Sequence, residues 1–96
     1  MVSESVPSTA EEVIKQYGPE VKGIMSACGI VIGEISDHAA RRIAGRGITF
    51  SELYNLITKA SITYPGNISG RTCQQKDNLR LVLINDTGEI RSVIRL

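Results

Sequence analysis

Apolar residues in the first third of the chain recur at steps of three and four, the pattern of an amphipathic helix. Ser8 and Thr9, each followed three residues later by a glutamate, offer overlapping capping boxes for its start. Pro19 lacks an amide proton and collides with the preceding turn, so we predict a short helix and then a second one over residues 19–28. The apolar stripe comprises Val13, Ile14, Tyr17, Val21, Ile24, Met25 and Cys28.

Two further helices are predicted after an apolar, β-branched segment at residues 29–35, which we expect to be a short strand or an extended buried connector. Ser36 or Asp37 caps a helix over about residues 38–45, and Gly47 follows its end. Thr49 and Glu52 form a capping box for the next helix. The inward positions of these two helices are expected to be Ala39, Ala40, Ile43, Phe50, Leu53, Tyr54, Ile57 and Ala60.

The pattern changes after residue 60, where β-rich segments at 62–64, 72–74, 79–84 and 90–96 are separated by turn-forming residues. Helices followed by an antiparallel meander predict an α+β fold, with N-terminal helices packed on a C-terminal sheet of about four strands. We expect residues 1–7 to be a flexible lead-in and residues 8–96 to form a single domain, since 96 residues support one core.

Composition narrows the possible functions. Aromatic residues make up only 4% of the chain, so the core must be aliphatic and a platform of stacked aromatics for reading single strands is not expected. No apolar run approaches the roughly 18 residues of a membrane span, and the start lacks a signal-peptide pattern. Cys28 and Cys73 with one histidine are too few for a typical zinc site, and their spacing gives no support for a disulfide. We therefore predict neither a metal nor a cofactor.

Charge is distributed unevenly along the chain although the net charge is only +1. Two lysines against six carboxylates give residues 1–37 a charge of −4, and nine basic against four acidic residues give residues 38–96 a charge of +5. Such an asymmetry attracts polyanions by local potential rather than by net charge. Charged side chains that are simply exposed to solvent would give the same difference in charge, and that interpretation stays open.

The only histidine, His38, lies near a helix start and is followed at helical spacing by Arg41, Arg42 and, past a glycine, Arg46. Phosphodiester cleavage needs a group that takes a proton from the 2′-hydroxyl and cations that stabilise the charge gathering on phosphorus. A histidine with guanidinium groups one turn away meets both needs. The cluster therefore suggests a nuclease, while a solvated helix face remains the alternative.

The order of residues at 35–49, a following helix, and strands that end at 85–94 resemble the small ribonuclease toxins with a barnase/EndoU/colicin/RelE-type fold. In particular, residues 35–96 are similar to the C-terminal toxin domains of contact-dependent growth inhibition, the CdiA-type polymorphic toxins. The resemblance implies a ribonuclease, commonly acting on tRNA, that is blocked by a cognate immunity protein. It also implies delivery as the end of a larger secreted effector and action in the target-cell cytoplasm, and it leaves open a need for a host translation factor.

The resemblance matches His38 to the helical histidine, Arg41 or Arg42 to the arginine after it, and Ser92 to a hydroxyl residue of the last strand. His38 would then act as general base or general acid, with Arg42, or else Arg41, holding the phosphate oxygens. One histidine cannot fill both proton-transfer roles, so the second falls to Lys76, Tyr64 or water. The remaining RNA-binding candidates are Arg46, Arg71 and Arg91.

Two other classes of protein share some of these sequence features. A non-enzymatic RelE/ParE-like toxin or protein-binding module would suit the near-neutral net charge. An immunity protein or antitoxin would be mainly acidic, and the +5 charge after residue 37 argues against it. Arg80, Arg91 and Arg95 alternate with apolar residues, and an ordinary wet side of the sheet accounts for them equally well.

Overall fold

Three helices precede a four-stranded antiparallel sheet in the computed structural model, which describes residues 6–96. The helices are α1 (Ala10–Val21), α2 (Asp37–Arg46) and α3 (Phe50–Thr58). The strands are β1 (Ile62–Pro65), β2 (Arg71–Lys76), β3 (Leu79–Ile84) and β4 (Ile90–Arg95), paired in the order β1-β2-β3-β4. The predicted α+β class, with helices first and a C-terminal meander, is confirmed.

Helix α1 runs through Pro19, so the predicted break and second helix are wrong. Thr9 caps the start by accepting a hydrogen bond from the Glu12 amide. Proline lies in the last turn, where it removes a single intrahelical hydrogen bond. The buried stripe continues across it to Val21, which is fully buried, and this packing outweighs the lost bond.

Residues 22–36 form a connector with turns at residues 22–23 and 27–28 rather than a helix. Met25 and Val31 pair as an isolated antiparallel bridge, and both side chains are at least half exposed. The helical periodicity of Ile24, Met25 and Cys28 was therefore misleading. The alternative of an extended buried connector is confirmed for the later part, where Ile32 and Ile35 are buried.

The predicted caps of α2 and α3 are confirmed. Ser36 is the N-cap of α2, and Gly47 ends that helix in the left-handed conformation with φ of 62°. Thr49 and Glu52 form a complete capping box at α3. Tyr54, expected on the buried face, is 40% exposed, because the face of α3 that packs inward is formed by the buried residues Leu53, Leu56 and Ile57.

One face of the sheet carries the core and packs against the helices, while the other face, here called the open face, has no helix on it. Leu79, Leu81 and Leu83 of β3 alternate inward and are buried. The core cluster consists of Val13, Tyr17, Val21, Ile32, Ile35, Ala39, Ala40, Ile43, Ile48, Leu53, Leu56, Ile57, Leu79, Leu81, Leu83, Ile90 and Val93.

Gln74 is a fully buried polar side chain that ties three segments together. Its Nε2 donates to the carbonyl oxygens of Leu56 and Ile57 at 3.0 and 2.9 Å, and its Oε1 accepts from the Cys28 amide at 3.0 Å. A buried amide is tolerated when its hydrogen bonds are made. Gln74 thus fixes the end of α3 and the connector to β2.

Two remaining expectations concern the chain ends and membranes. Met1 to Ser5, most of the predicted lead-in, lie outside the described residues, while Pro7 is buried. Within residues 6–96, none of the helices has the length and apolarity needed to cross a membrane.

Candidate functional site

The start of α2 is fixed directly to strand β4. The Ser36 amide donates to the Ile90 carbonyl oxygen at 3.0 Å, and Ser36 Oγ donates to the Arg91 carbonyl oxygen at 3.0 Å. The same Oγ accepts from the Ala39 amide, which completes the helix cap. These bonds set the first turn of α2, including His38, against the edge of the sheet.

A β-bulge in β4 turns Ser92 toward the open face. Ile90 pairs with Leu83, and Ser92 pairs with the neighbouring Val82, so Arg91 is the extra residue. A regular strand would place Ile90 and Ser92 on the same face. With the bulge, Ile90 is buried with the core while Ser92 joins Val82 on the open face.

His38, Arg42, Arg46 and Ser92 line one cavity of about 250 Å³, here called the histidine cavity. The first three lie on one face of α2 because they are spaced four residues apart. Val93 and Ile94 complete the lining. Four of the site residues predicted from the sequence are therefore brought together by the fold.

Arg41 lies outside the histidine cavity. Its Nη2 forms an ion pair of 2.7 Å with Asp37 Oδ2, and both side chains are mostly exposed. The sequence left open whether Arg41 or Arg42 would face the site. In the structure Arg42 lines the cavity and Arg41 pairs with Asp37 along the helix.

A second depression of about 420 Å³, here called the sheet hollow, adjoins the histidine cavity on the open face. Ile94 lines both, and Tyr64, Cys73, Val82 and Ser92 form a continuous cross-strand row that links them. The residues that line the sheet hollow are Tyr64, Gly66, Asn67, Ile68, Arg71, Cys73, Arg80, Val82 and Ile94. The predicted site residues Tyr64 and Arg71 thus lie on the open face with Ser92, next to the cavity that His38 lines.

Gln75 organises the polar side chains beside the sheet hollow. Its Oε1 accepts a hydrogen bond from Tyr64 Oη and another from Arg80 Nε, the latter at 3.3 Å. All three side chains are half-buried. The shared acceptor holds the phenol and the guanidinium group in fixed positions on the open face.

Two predicted site residues lie elsewhere. Lys76 lines a smaller depression beside α3, together with Glu52 and Asp77, and does not reach the histidine cavity. Arg91, the bulge residue, is exposed and lies 3.8 Å from Glu89 in an ion pair. The structure therefore leaves both outside the cleft formed by the histidine cavity and the sheet hollow.

The arginines of the chain divide into two groups by their partners. Arg41, Arg91 and Arg95 pair with carboxylates at 2.7, 3.8 and 4.0 Å. The others form no ion pair with any carboxylate of residues 6–96, and each lines the cleft; they are Arg42, Arg46, Arg71 and Arg80. No Asp or Glu among the described residues lines either cavity. The open face is consequently a cationic surface without internal neutralisation.

Arg80 and Gln75 belong to this site but were not predicted as site residues. Arg80 stands in the alternating strand pattern of β3, where a polar position indicates only that the side chain leaves the core. Its place beside Tyr64 and Arg71 depends on strand register, since Gln75 pairs with Arg80 across β2 and β3. The sequence alone does not give this register, so it could not place Arg80 and Gln75 in the site.

The described residues contain no group of three His, Cys, Asp or Glu side chains arranged to hold a metal ion. Cys28 and Cys73 are free thiols. Cys28 Sγ lies 3.1 Å from Ser26 Oγ in the connector, while Cys73 forms part of the sheet hollow.

No protein-family model matches this chain, and the searches of curated proteins and of solved structures also gave no match.

Proposed function

We propose that this domain is an endoribonuclease that cleaves RNA by attack of the 2′-hydroxyl on the adjacent phosphate. One observation carries the proposal. His38 and Ser92 line the same cleft as every arginine that lacks a carboxylate partner in residues 6–96. Unpaired guanidinium groups on one open surface favour a polyanionic ligand. A histidine among them adds a group able to move protons near neutral pH.

His38 is the proposed proton-transfer residue, as general base on the 2′-hydroxyl or as general acid on the departing 5′-oxygen. The 2′-oxygen forms a bond to phosphorus as its proton leaves, and the bond from phosphorus to the 5′-oxygen breaks as that oxygen gains a proton. The products are a 2′,3′-cyclic phosphate and a free 5′-hydroxyl. His38 is exposed in the histidine cavity, so a substrate has access to its imidazole.

Arg42 and Arg46 are proposed to hold the non-bridging phosphate oxygens as negative charge develops on them. A planar guanidinium group offers two parallel N–H donors to such oxygens. Ser92, on the other wall of the same cavity, supplies a hydroxyl that positions the phosphate. Arg41 is assigned no part, because its guanidinium group pairs with Asp37.

The second proton transfer is assigned to water rather than to Tyr64 or Lys76. Tyr64 lies in the sheet hollow but three strands from Ser92, and Lys76 lies beside α3, so neither reaches the histidine cavity. The Tyr64 hydroxyl also donates to Gln75 Oε1, so its proton is engaged there, and the lone pairs of a neutral phenol accept hydrogen bonds but are too weakly basic to take a proton. Arg71 is proposed as a phosphate contact from the sheet hollow, whereas Arg91 is assigned no part, because it pairs with Glu89 outside the cleft.

The resemblance described above supplies the proposed biological setting. On that basis the substrate is tRNA in a target bacterium, the domain is the delivered end of a larger secreted effector, and a cognate immunity protein protects the producing cell. A requirement for a host translation factor is tested by adding a target-cell extract to the purified components.

The direct test is incubation of the purified domain with total tRNA, followed by analysis of fragment ends. We expect discrete fragments that carry 2′,3′-cyclic phosphates, and no cut where the nucleotide before the cleavage site is replaced by its 2′-deoxy form. Intact tRNA after prolonged incubation with folded protein and extract would contradict the proposal. Growth inhibition without RNA cleavage would instead favour the non-enzymatic toxin.

A further inference from the structure

The sheet hollow combines apolar walls with a cationic rim. Val82 and Cys73 come from the centre of the sheet, and Ile68 from the β1–β2 connection contributes a side chain that is 56% exposed. Arg71 and Arg80 stand among these apolar groups without a carboxylate partner in the described chain. Apolar surface beside unpaired guanidinium groups is complementary to a flat aromatic ring that carries a phosphate.

The connection that forms one wall of the hollow is held at both ends. The Gly66 amide donates to the Arg71 carbonyl oxygen at 2.9 Å, and the Asn85 amide donates to the Gly70 carbonyl oxygen at 2.8 Å. Thr72 Oγ1 also donates to Asn85 Oδ1 at 2.7 Å. The two ends of this connection, Gly66 and Gly70, are therefore held by the backbone hydrogen bonds of the chain itself.

The position of the hollow relates it to the proposed cleavage site. Val82 lies one strand from Ser92 and Tyr64 lies three strands from it, which corresponds to roughly 5 to 15 Å at the usual strand spacing. A nucleotide next to the one whose phosphate occupies the histidine cavity falls within this range. Ile94 lines both cavities, so the two positions share one wall residue.

We propose, on the assumption that the domain is a ribonuclease, that the sheet hollow binds the base of the nucleotide adjacent to the cleaved phosphodiester. The base lies against Val82 and Ile68, and Arg71 and Arg80 contact its phosphate or stack on its face. Bases within an A-form duplex are stacked and cannot enter such a hollow, whereas bases of loops and single strands can be splayed out. The substrate is therefore an unpaired RNA segment.

The test uses the tRNA cleaved by the domain, assembled from synthetic halves that carry an abasic nucleotide on the 5′ or the 3′ side of the cleavage site. For the wild-type protein we expect one of the two abasic substrates to lose about tenfold in kcat/KM, within the contribution of one bound base. Annealing a complementary strand across the site is expected to prevent cleavage.

Two variants locate the effect in the hollow. Val82→Phe fills its floor and Ile68→Ser removes an exposed wall residue; both are expected to cleave the intact tRNA about tenfold less efficiently and to show no further loss with the abasic substrate. Val31→Ser, a β-branched residue of the connector with 50% exposure, is the matched control and is expected to behave as wild type. Ile68→Ser keeps the test valid if Val82→Phe does not fold.

The outcomes separate the two proposals. Cleavage of the intact tRNA with no loss for either abasic substrate, or unchanged cleavage of the annealed duplex, overturns the base-binding hollow while the ribonuclease stands. If Ile68→Ser cleaves the intact tRNA as well as wild type does, and still loses about tenfold with the abasic substrate, the base binds elsewhere. That result also overturns the base-binding hollow. Absence of any RNA cleavage by folded wild-type protein removes both proposals.

Discussion

Ser36 Oγ donates a 3.0 Å hydrogen bond to the carbonyl oxygen of Arg91, and this bond joins the two parts of the chain that form the histidine cavity. Ser36 lies two residues before His38, and Arg91 lies directly before Ser92. One hydroxyl therefore both caps α2 and sets its first turn against the bulge of β4. The positions of the two proposed catalytic groups depend on the same interaction.

Substitutions of Ser36 are expected to separate capping from positioning. Ser36→Ala removes the cap and the bond to β4 and should lower the free energy of unfolding by about 1–2 kcal/mol. Ser36→Asp keeps the cap but cannot donate to the Arg91 carbonyl oxygen, so cleavage should fall more than stability does. Ser36→Thr retains both functions and is the control. Urea unfolding and tRNA cleavage measured on the same preparations give the comparison, and parental cleavage by Ser36→Asp would refute it.

His38→Ala is expected to fold normally and to lose tRNA cleavage by about 10²–10⁴, the usual contribution of a general acid or base. The side chain is exposed, so its removal leaves no cavity in the core. Unfolding midpoints and cleavage rates should be measured together. A rate within about threefold of wild type would show that His38 has no part in proton transfer.

Arg42→Lys keeps the charge but loses the planar pair of donors, so kcat is expected to fall by at least about tenfold while RNA binding changes less. Arg41→Lys is the matched control, because Arg41 pairs with Asp37 outside the cavity. Single-turnover cleavage and binding to RNA are the measurements. Loss of activity in Arg41→Lys alone would transfer the role to that residue.

The elements of the fold that were predictable from the sequence are those fixed by local signals. Thr49 and Glu52 identify the start of α3, and Gly47 marks the end of α2, because caps and left-handed residues depend on a few neighbouring atoms. The continuation of α1 through Pro19 was not predictable. It depends on the burial of Val21, which is a matter of tertiary packing.

The candidate site divides in the same way. The spacing of His38 and Arg42 places them on one helix face, and this much follows from helical geometry alone. Ser92 lies on the open face because β4 contains a bulge, and Arg80 lies in the site because of the register between β2 and β3. Exclusion of Lys76 likewise follows from which side of the sheet it occupies. These are long-range relationships that a single sequence does not record.

Gly88 allows close contact between the β3–β4 turn and the connector that carries α2. It has φ of 72°, and a Cβ at this position would lie 1.8 Å from the Val31 carbonyl oxygen. Gly88→Ala is therefore expected to lower the free energy of unfolding by about 3 kcal/mol through backbone strain and overpacking.

Gly45→Ala is the matched control for this prediction. A Cβ at Gly45 meets no atom within 4 Å, and the residue lies inside α2. The substitution should raise the free energy of unfolding by about 0.5–1 kcal/mol, since alanine is the better helix former. Chemical denaturation of both variants measures the two effects, and equal stability of Gly88→Ala and wild type would refute the close packing.

The last prediction concerns the immunity protein that the proposed toxin requires. The unpaired arginines of the open face favour an acidic inhibitor that covers the cleft, and oppositely charged surfaces associate quickly at low salt. We expect the association rate to fall about tenfold or more between low and physiological salt. Arg71→Gln with Arg80→Gln should weaken this salt dependence. The double variant Arg41→Gln with Arg91→Gln removes the same charge, but from arginines that pair with carboxylates. It should change the salt dependence of association less.

Expression of the domain in bacteria tests the same requirement directly. Cells that produce it without a partner are expected to stop growing, and co-expression of an acidic protein encoded beside it should restore growth. The His38→Ala variant serves as the control, because it should still bind the inhibitor through the arginines while leaving growth unaffected. Healthy growth of cells that contain folded, RNA-cleaving domain and no inhibitor would contradict both the immunity partner and the toxin assignment behind it.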